Sequence, residues 1–143
     1  GPVMLQVTSP HKQLPLTIVI ADIDLFKSIN DEFGHDVGDV VLRLFSDCSK
    51  QAIRQSEFYG RFGGEEWLFV LPQTKVIFAQ TLFERLNKTI EKHGDEVPFD
   101  YKRLTFSMGA VDFNQGDTVK SMIDRADKLL YQAKKKGRNR ICY

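Results

Sequence analysis

The chain has 143 residues and a mass of 16.4 kDa, and its 20 Lys and Arg against 19 Asp and Glu give a formal net charge of +1. An anionic partner would therefore have to be bound by a local cluster of cations, because the field of the whole molecule is weak. A hydrophobic content of 42% and a charged content of 27% indicate one globular domain and exclude a disordered chain.

Apolar runs and cysteines exclude two further classes of protein. No apolar run approaches the roughly 18–20 residues of a membrane span, and no signal-peptide pattern begins the chain. Cys48 and Cys142 have no metal-type spacing and are predicted to be reduced thiols, which excludes a disulfide scaffold. We therefore expect a cytoplasmic domain without direct membrane insertion, although a longer parent protein could be membrane-anchored.

The predicted elements follow in the order strand, helix, helix, hairpin, helix, strand, helix, strand. Residues 1–15 are predicted to be a tag remnant at 1–4 and an aperiodic lead-in at 5–15, so the domain occupies 16–143. The β-branched run at 16–21 is typical of a central strand buried on both faces. The last helix is predicted to have Asp117 as its cap and to end at Gly137. Apolar spacing and turn signals place the later elements at 25–33, 37–52, 58–59, 67–71, 74–92, 104–113, 119–133 and 140–143.

Two acids, Asp22 and Asp24, follow the first predicted strand. The carboxyl end of a buried strand is a common ligand position in an α/β sheet. One interpretation is a divalent-metal site, since Mg²⁺ prefers hard oxygen ligands. The alternative is a helix cap and solvated loop acids. A metal site would need a further carboxylate from another element.

The turn Gly63-Gly64-Glu65-Glu66 could provide that carboxylate. Many hairpin tips are simply solvated, and this turn alone does not decide between the two roles. If it folds beside the end of the first strand, Asp22 and Glu65 could bind one or two metal ions. Such a site holds phosphate oxygens and lowers the pKa of an attacking hydroxyl, as phosphoryl transfer requires.

Residues 134–140 contain five cations in seven positions. Nucleic-acid binding is one interpretation, and a favourable interaction with the helix dipole is another. A small RNA-binding domain would also need aromatic platforms, and only Tyr131 and Tyr143 lie near this segment. We therefore expect no nucleic-acid partner, because a cluster this short is better matched to one triphosphate.

Three blocks of residues, in this order, resemble the signatures of GGDEF domains, the catalytic domains of diguanylate cyclases. They are Asp-Ile-Asp-Leu-Phe-Lys-Ser-Ile-Asn-Asp at 22–31 with Gly-His-Asp-Val-Gly-Asp at 34–39, Gly-Gly-Glu-Glu-Trp at 63–67, and Ala-Asp-Lys-Leu-Leu-Tyr-Gln-Ala-Lys at 126–134 with Gly-Arg-Asn-Arg at 137–140. The resemblance implies an α/β (α+β) fold like the palm of nucleotidyl cyclases and polymerases. In that fold helices surround a mixed central sheet, and the Gly-Gly-Glu-Glu-Trp turn lies in a β-hairpin.

The resemblance also implies an activity, in which two GTP molecules are condensed into cyclic di-GMP with release of pyrophosphate. Because each domain holds one GTP, turnover would require a homodimer. Asp22, the backbone carbonyl of Ile23 and Glu65 would hold Mg²⁺ or Mn²⁺. Glu65 would also accept the 3′-hydroxyl proton, with Glu66 as its neighbour. The substrate contacts implied by the family are Asn30 and Asp39 at the guanine edge, His35 near the ribose, and Lys27, Lys134, Arg138 and the amides of Leu25 and Phe26 at the phosphates.

Base preference is predicted from Asp39. A carboxylate accepts hydrogen bonds from guanine N1–H and N2–H₂, whereas adenine offers no such pair of donors on that edge. Loss of a buried polar match is costly, so we expect GTP to be preferred over ATP. The alternative is that Asp39 is an ordinary solvated acid on a helix.

Departures from the family pattern lead to further expectations. Trp67 replaces the usual Phe, and activity is expected to survive this change because both acids of the turn are intact. Arg54 and Glu57 stand where many members have an Arg-x-x-Asp product-inhibition site, and the longer Glu predicts weak or absent inhibition by cyclic di-GMP. An ordinary helix-end ion pair is the alternative for this pair. Residues 1–15 lack the usual Asp-x-Leu-Thr-Gly-Leu-x-Asn-Arg segment, so we expect a fragment of a longer protein with an upstream sensor domain.

A second function stays open at this point. Some GGDEF modules are catalytically silent and bind GTP or serve as an interaction platform, and these usually have a decayed Gly-Gly-acid-acid turn. Here Glu65 and Glu66 are both present, which favours the enzyme.

Overall fold

The computed structural model describes residues 8–9 and 12–143, with side chains from Leu14 onward. Single 3₁₀ turns lie at Val76–Phe78, Gly94–Glu96 and Tyr101–Arg103. The strands and α-helices are β1 Thr8–Ser9, β2 Lys12–Gln13, β3 Leu16–Ile23, α1 Phe26–Phe33, α2 His35–Ala52, β4 Phe58–Gly63, β5 Glu66–Pro72, α3 Ala79–Lys92, β6 Phe106–Asp112, α4 Val119–Lys135 and β7 Ile141–Cys142.

The central sheet has the order β4-β5-β3-β6-β7 in the described part of the chain. β3 lies in the middle and pairs antiparallel with both β5 and β6, while β7 pairs parallel with β6. Every residue of β3 is buried, as its continuous apolar pattern predicted. The mixed sheet, the surrounding helices and the β4–β5 hairpin confirm the predicted fold class.

Helices cover the two faces of the sheet. On one face, α1, α2 and α3 pack over the side chains of Val19, Ala21 and Ile23. On the other face, α4 packs over Ile18 and Ile20 through the buried residues Met122, Ala126 and Leu130. α4 lies so close to β6 that a Cβ at Gly109 would overlap the backbone of Ala126 and Leu130. β3 is therefore covered by packed helices on both of its faces.

Some predicted boundaries differ from the observed ones. β3 continues to Ile23, so Asp22 lies within the strand and not after it. The lead-in contains the short antiparallel pair β1–β2, while the tag remnant predicted at 1–4 lies outside the described residues. Among the helices of the described residues, none is long and apolar enough to cross a membrane.

The cap of α4 was predicted wrongly. Thr118 is the N-cap: its Oγ1 accepts a hydrogen bond from the Ser121 amide at 3.1 Å, and its own amide donates to Ser121 Oγ at 2.9 Å. Asp117 accepts hydrogen bonds from the Asn114 amide and Ser121 Oγ and pairs with Arg125. Thr118 and not Asp117 is the cap because the reciprocal pair with Ser121 is available only to Thr118.

Candidate active site

The end of β3 and the β4–β5 turn meet at one edge of the sheet. Asp22 lies opposite Glu66 in the β3–β5 register, and the Ile23 amide donates a hydrogen bond to the Glu65 carbonyl at 3.3 Å. A metal site at Asp22 and Glu65 requires the hairpin turn to lie beside the end of the first long strand, and the structure shows this arrangement. Glu65 and Glu66 are both half-buried at this position.

Asp22 is the buried acid of this group, with a residue exposure of 5%. Its Oδ2 accepts a hydrogen bond from Lys134 Nζ, while its Oδ1 is buried and has no partner among the described residues. The pKa of Asp22 is raised to about 6, mainly by burial; the hydrogen bond and charge of Lys134 lower it, while the charges of Glu65 and Glu66 also raise it. A cation is thus already the favoured neighbour of this carboxylate.

Whether a divalent metal fits this place can be judged from Asp22. The described residues contain no group of three or more His, Cys, Asp and Glu side chains that could hold a metal ion. The set implied by the family, however, has two carboxylates and one backbone carbonyl, at Asp22, Glu65 and Ile23. Hard oxygen donors, a buried Oδ1 without a partner in the described residues, and the ammonium on Oδ2 all fit a hard divalent cation.

Asp24 does not share the environment of Asp22. It is buried, with an exposure of 4%, and accepts hydrogen bonds from Thr105 Oγ1, Ser107 Oγ and the Asn139 amide. It is therefore neither a solvated acid nor the cap of α1, whose N-cap position is occupied by Leu25. These donors were not predicted from the sequence; the available signal was the pair of hydroxyl residues, Thr105 and Ser107, spaced by two positions near an apolar strand.

The start of α1 follows directly after Asp24. Leu25, at the N-cap, has the left-handed values φ 54° and ψ 35°, and in the described residues no side chain caps this helix end. Leu25 and Lys27 are exposed, and Phe26 is half-buried. Uncapped amides at a helix N-terminus favour an anion, so Leu25 and Phe26 lie where a phosphate could be bound.

The residues predicted to bind guanine lie on α1 and α2, which are joined at Gly34. Asn30 is half-buried, and its Oδ1 is buried without a partner in the described part of the chain. Gly38 allows this placement, because a Cβ there would overlap Asn30 Oδ1. His35 and Asp39 are exposed on α2 and therefore accessible to a ligand. Within the described residues no hydrogen bond or ion pair joins these side chains to Asp22 or Glu65.

The last turn of α4 and the loop after it contain two of the predicted phosphate cations. Lys134, in the last turn of α4, is half-buried and contacts Asp22, whereas Arg138 is exposed. Gly137, Arg138 and Asn139 have positive φ values of 119°, 66° and 51°. Non-glycine residues rarely adopt this conformation, and it persists where the surroundings fix it.

Trp67 lies behind the hairpin and is fully buried. Its ring centroid is 4.5 Å from that of Phe45, and the Arg61 guanidinium lies 5.9 Å from the indole. Nε1 of Trp67 is buried and has no hydrogen-bond partner in the residues that the structure describes. The core therefore accommodates the larger ring, with one unsatisfied donor.

Arg54 and Glu57 line a different cavity, of about 210 Å³, together with Arg85. Glu57 Oε1 accepts a hydrogen bond from the Arg54 amide at 2.7 Å, and the Glu57 amide donates to the Arg54 carbonyl at 2.9 Å. The Glu57 carboxylate is thus directed towards the backbone of Arg54. No side-chain ion pair joins these two residues in the described part of the chain.

The comparisons with known proteins agree with this fold. Residues 4–140 match the family described as "Diguanylate cyclase, GGDEF domain", and the chain belongs to this family. It is 37% identical over 137 residues to Diguanylate cyclase A of Treponema denticola. The matched region covers 94% of this chain and 36% of that protein. The chain therefore spans about a third of the length of this curated relative.

Solved structures of two relatives superpose closely on the chain. The diguanylate cyclase SiaD of Pseudomonas aeruginosa, in complex with its activator SiaC, has a TM-score of 0.84 at 32% identity, covering 95% of this chain and 52% of that chain. The active GGEEF domain of a diguanylate cyclase from Vibrio cholerae has a TM-score of 0.81 at 35% identity, covering 99% of this chain and 88% of that chain.

Proposed function

We propose that this domain condenses two GTP molecules into cyclic di-GMP and pyrophosphate, with each domain of a homodimer holding one GTP. The observation that supports this most directly is the buried Asp22 carboxylate beside the Glu65–Glu66 turn, with one oxygen that has no partner in the part of the chain that the structure describes. Membership of the GGDEF family adds independent support. Both acids of the turn are retained, as an active site requires.

The residues have separate tasks in this proposal. Asn30 and Asp39 recognise the guanine edge, and His35 lies near the ribose. Lys27, Lys134, Arg138 and the amides of Leu25 and Phe26 hold the phosphates. Glu65 accepts the proton of the 3′-hydroxyl that attacks the α-phosphate of the GTP on the partner domain, with Glu66 as its neighbour. The two-domain arrangement orients this attack and so removes much of its entropic cost.

A divalent metal belongs to the same proposal. Asp22, the Ile23 carbonyl and Glu65 would hold Mg²⁺ or Mn²⁺, which when bound neutralises phosphate charge and lowers the pKa of the attacking hydroxyl. An upstream sensor domain and a cytoplasmic location complete the proposal for the parent protein.

The test is an assay at high protein concentration with GTP and Mg²⁺, in which nucleotides are separated by chromatography. Glu65→Ala is expected to reduce product formation about 100-fold or more, since a positioned general base contributes about 10²–10⁴-fold. Glu84→Ala, which removes an exposed acid of α3, is the matched control and is expected to leave the rate unchanged. Equal rates for Glu65→Ala and the unmodified chain would contradict the assignment of Glu65.

The same samples separate the proposal from its alternative. Binding of GTP without turnover would favour a silent GTP-binding module or interaction platform, and no binding at all would refute both nucleotide functions. Replacing GTP by ATP tests the role of Asp39, and equal turnover of the two nucleotides would contradict it.

Weak product inhibition is part of the proposal. Oε1 of Glu57 accepts a hydrogen bond from the Arg54 amide. This carboxylate oxygen is therefore not free to bind a nucleotide in that cavity. We expect cyclic di-GMP added to the assay to inhibit weakly or not at all. Tight binding of cyclic di-GMP that is abolished by Arg54→Ala would show that the longer acid still forms an inhibitory site.

A further inference from the structure

The hydrogen bonds of Asp24 connect three segments that are distant in sequence. Its Oδ1 accepts from Ser107 Oγ at 2.7 Å, and its Oδ2 accepts from Thr105 Oγ1 at 2.8 Å and from the Asn139 amide at 3.0 Å. The Asp24 amide donates to the Thr105 carbonyl at 2.9 Å. The carboxylate therefore joins the end of β3, the start of β6 and the loop after α4.

The bond to Asn139 fixes an unusual turn. Gly137, Arg138 and Asn139 all have left-handed backbone conformations, and two of them are not glycine. The Arg138 amide donates to the Ala133 carbonyl at the end of α4, and the Arg140 carbonyl accepts from the Met108 amide on β6. Two side chains hold the turn between these two backbone anchors: Asp24 accepts from the Asn139 amide, and Arg140 Nε donates to the Arg138 carbonyl at 3.0 Å. Arg138 immediately precedes the amide that Asp24 binds.

A direct electrostatic contribution of Asp24 to phosphate binding is unfavourable. A buried carboxylate two residues from Asp22 adds negative charge beside the place where a triphosphate would lie. Its charge is instead used to accept hydrogen bonds from two hydroxyls and an amide, and such charge-assisted bonds are strong. The geometry therefore favours a role through the position of a neighbouring group.

We propose that Asp24 is a positioning residue that holds the Asn139 amide and thereby presents the Arg138 guanidinium to the phosphates of the nucleotide. This inference rests on the proposed function, in which Arg138 binds phosphate. Asp24 itself contacts neither the nucleotide nor the reacting atoms. Loss of its carboxylate lets the Gly137–Asn139 turn relax, and Arg138 then loses its fixed position.

The test compares GTP with guanosine, which keeps the base and ribose and has no phosphate. Asp24→Asn keeps the size of the side chain and removes its charge. We expect the affinity for GTP to fall about tenfold, as for one charge-assisted bond, and the affinity for guanosine to stay unchanged. In a double-mutant cycle, adding Asp24→Asn to Arg138→Ala is expected to cost little more than Arg138→Ala alone. Equal weakening of GTP and guanosine, or additive effects in the cycle, would overturn the proposal.

The controls separate position from stability. Asp117→Asn alters another largely buried aspartate, which accepts hydrogen bonds from Asn114, Ser121 and Arg125 far from the turn, and it is expected to leave GTP affinity unchanged. If Asp24→Asn does not fold, Ser107→Ala removes one anchor of the carboxylate and is expected to weaken GTP binding by a smaller factor, again without effect on guanosine. No change of GTP affinity in the folded Ser107→Ala variant would then count against the proposal.

Hydrogen exchange distinguishes failure of this inference from failure of the proposed function. If the unmodified chain binds no GTP, the nucleotide function is refuted, while the structural link can still be measured. We expect the Asn139 amide to exchange about tenfold faster or more in Asp24→Asn than in Asp117→Asn, because its acceptor is weakened. Unchanged protection of Asn139 would overturn the link between Asp24 and the turn.

Discussion

Trp67 makes two opposing contributions to the free energy of unfolding. The indole fills a fully buried position against Phe45, which stabilises the fold through apolar burial. Its Nε1 has no hydrogen-bond partner among the described residues, and an unsatisfied buried donor costs about 1–3 kcal/mol. The stabilisation from burying the ring and the cost of the unsatisfied N–H therefore partly offset each other.

For Trp67→Phe we expect a change in the free energy of unfolding smaller than about 1 kcal/mol. The smaller ring leaves a cavity, but the unsatisfied N–H is removed with it. Trp67→Ala, which leaves a much larger cavity, is expected to cost about 3–5 kcal/mol. Urea unfolding of both variants checks this. A loss of more than about 2 kcal/mol in Trp67→Phe would show that the cavity cost is not offset by removal of the buried N–H.

The lowered pKa of Asp117 leads us to expect that stability depends on pH. Burial raises the pKa of Asp117, but hydrogen bonds from Ser121 and the Asn114 amide and the charge of Arg125 together lower it below its usual value of 3.8. As the pH falls, the unfolded chain binds a proton at this group before the folded chain does. Its stabilising contribution is therefore complete above about pH 4 and is lost below that pH.

The measurement is the free energy of unfolding between about pH 3 and 6, for the unmodified chain and for Asp117→Asn. We expect the unmodified chain to lose stability more steeply below about pH 4, because the variant has no carboxyl to titrate at this position. Parallel curves for the two proteins would show that the Asp117 pKa is the same in the folded and unfolded states.

At the scale of elements, the packing of α1 against α2 includes a close contact between Gly38 and Asn30. Gly38→Ala places a methyl group in the interior of α2, where Ala is favoured over Gly by about 1 kcal/mol. The same methyl would overlap Asn30 Oδ1 and force that side chain to move. We expect unchanged or slightly higher stability and, under the proposed function, an affinity for GTP that falls about tenfold, because the contact of Asn30 with the base would be lost.

Urea unfolding and GTP titration of Gly38→Ala check the two effects separately. Gly60→Ala is the control, because a Cβ at Gly60 would meet no atom within 4 Å. It is expected to leave GTP affinity unchanged. If folded Gly38→Ala bound GTP as tightly as the unmodified chain, Asn30 would not contact the base.

Local patterns predicted the elements better than they predicted the contacts between them. The continuous apolar run of β3, the glycine turn of the hairpin and the helical spacing of α4 each depend on neighbouring residues, so the sequence was sufficient for them. The contacts of Lys134 with Asp22 and of Asn139 with Asp24 join residues 112 and 115 positions apart. They depend on how α4 packs along β3, which the periodicity of either element does not specify.

The α4 cap shows a different limit of local reasoning. Asp117 and Thr118 are adjacent, and both residue types cap helices well, so residue preference alone did not distinguish them. The distinguishing signal was Ser121, three residues after Thr118, which completes a reciprocal pair of hydrogen bonds.

At the scale of the whole molecule, the proposed reaction makes the rate depend on encounters between domains. One domain holds only one of the two nucleotides, and a net charge of +1 provides little long-range attraction or repulsion between copies. We expect the product formed per chain to rise with protein concentration at saturating GTP, and then to level off when most chains are dimeric.

Initial rates over a series of protein concentrations, with sedimentation measured in parallel, check this dependence. A dimeric coiled coil fused before residue 1 is the control, and it is expected to make the rate per chain independent of concentration. A constant rate per chain while sedimentation reports monomers would contradict the two-domain reaction.

The contact between Lys134 and Asp22 has a consequence for how the site is filled. Lys134 is a built-in counterion, and it can neutralise either the aspartate or a phosphate, but not both at once. Under the proposed function, a divalent cation that replaces it on Asp22 releases an ammonium group for the nucleotide. Loading of the site is then an ion exchange, in which the affinities for cation and nucleotide increase each other by the same factor.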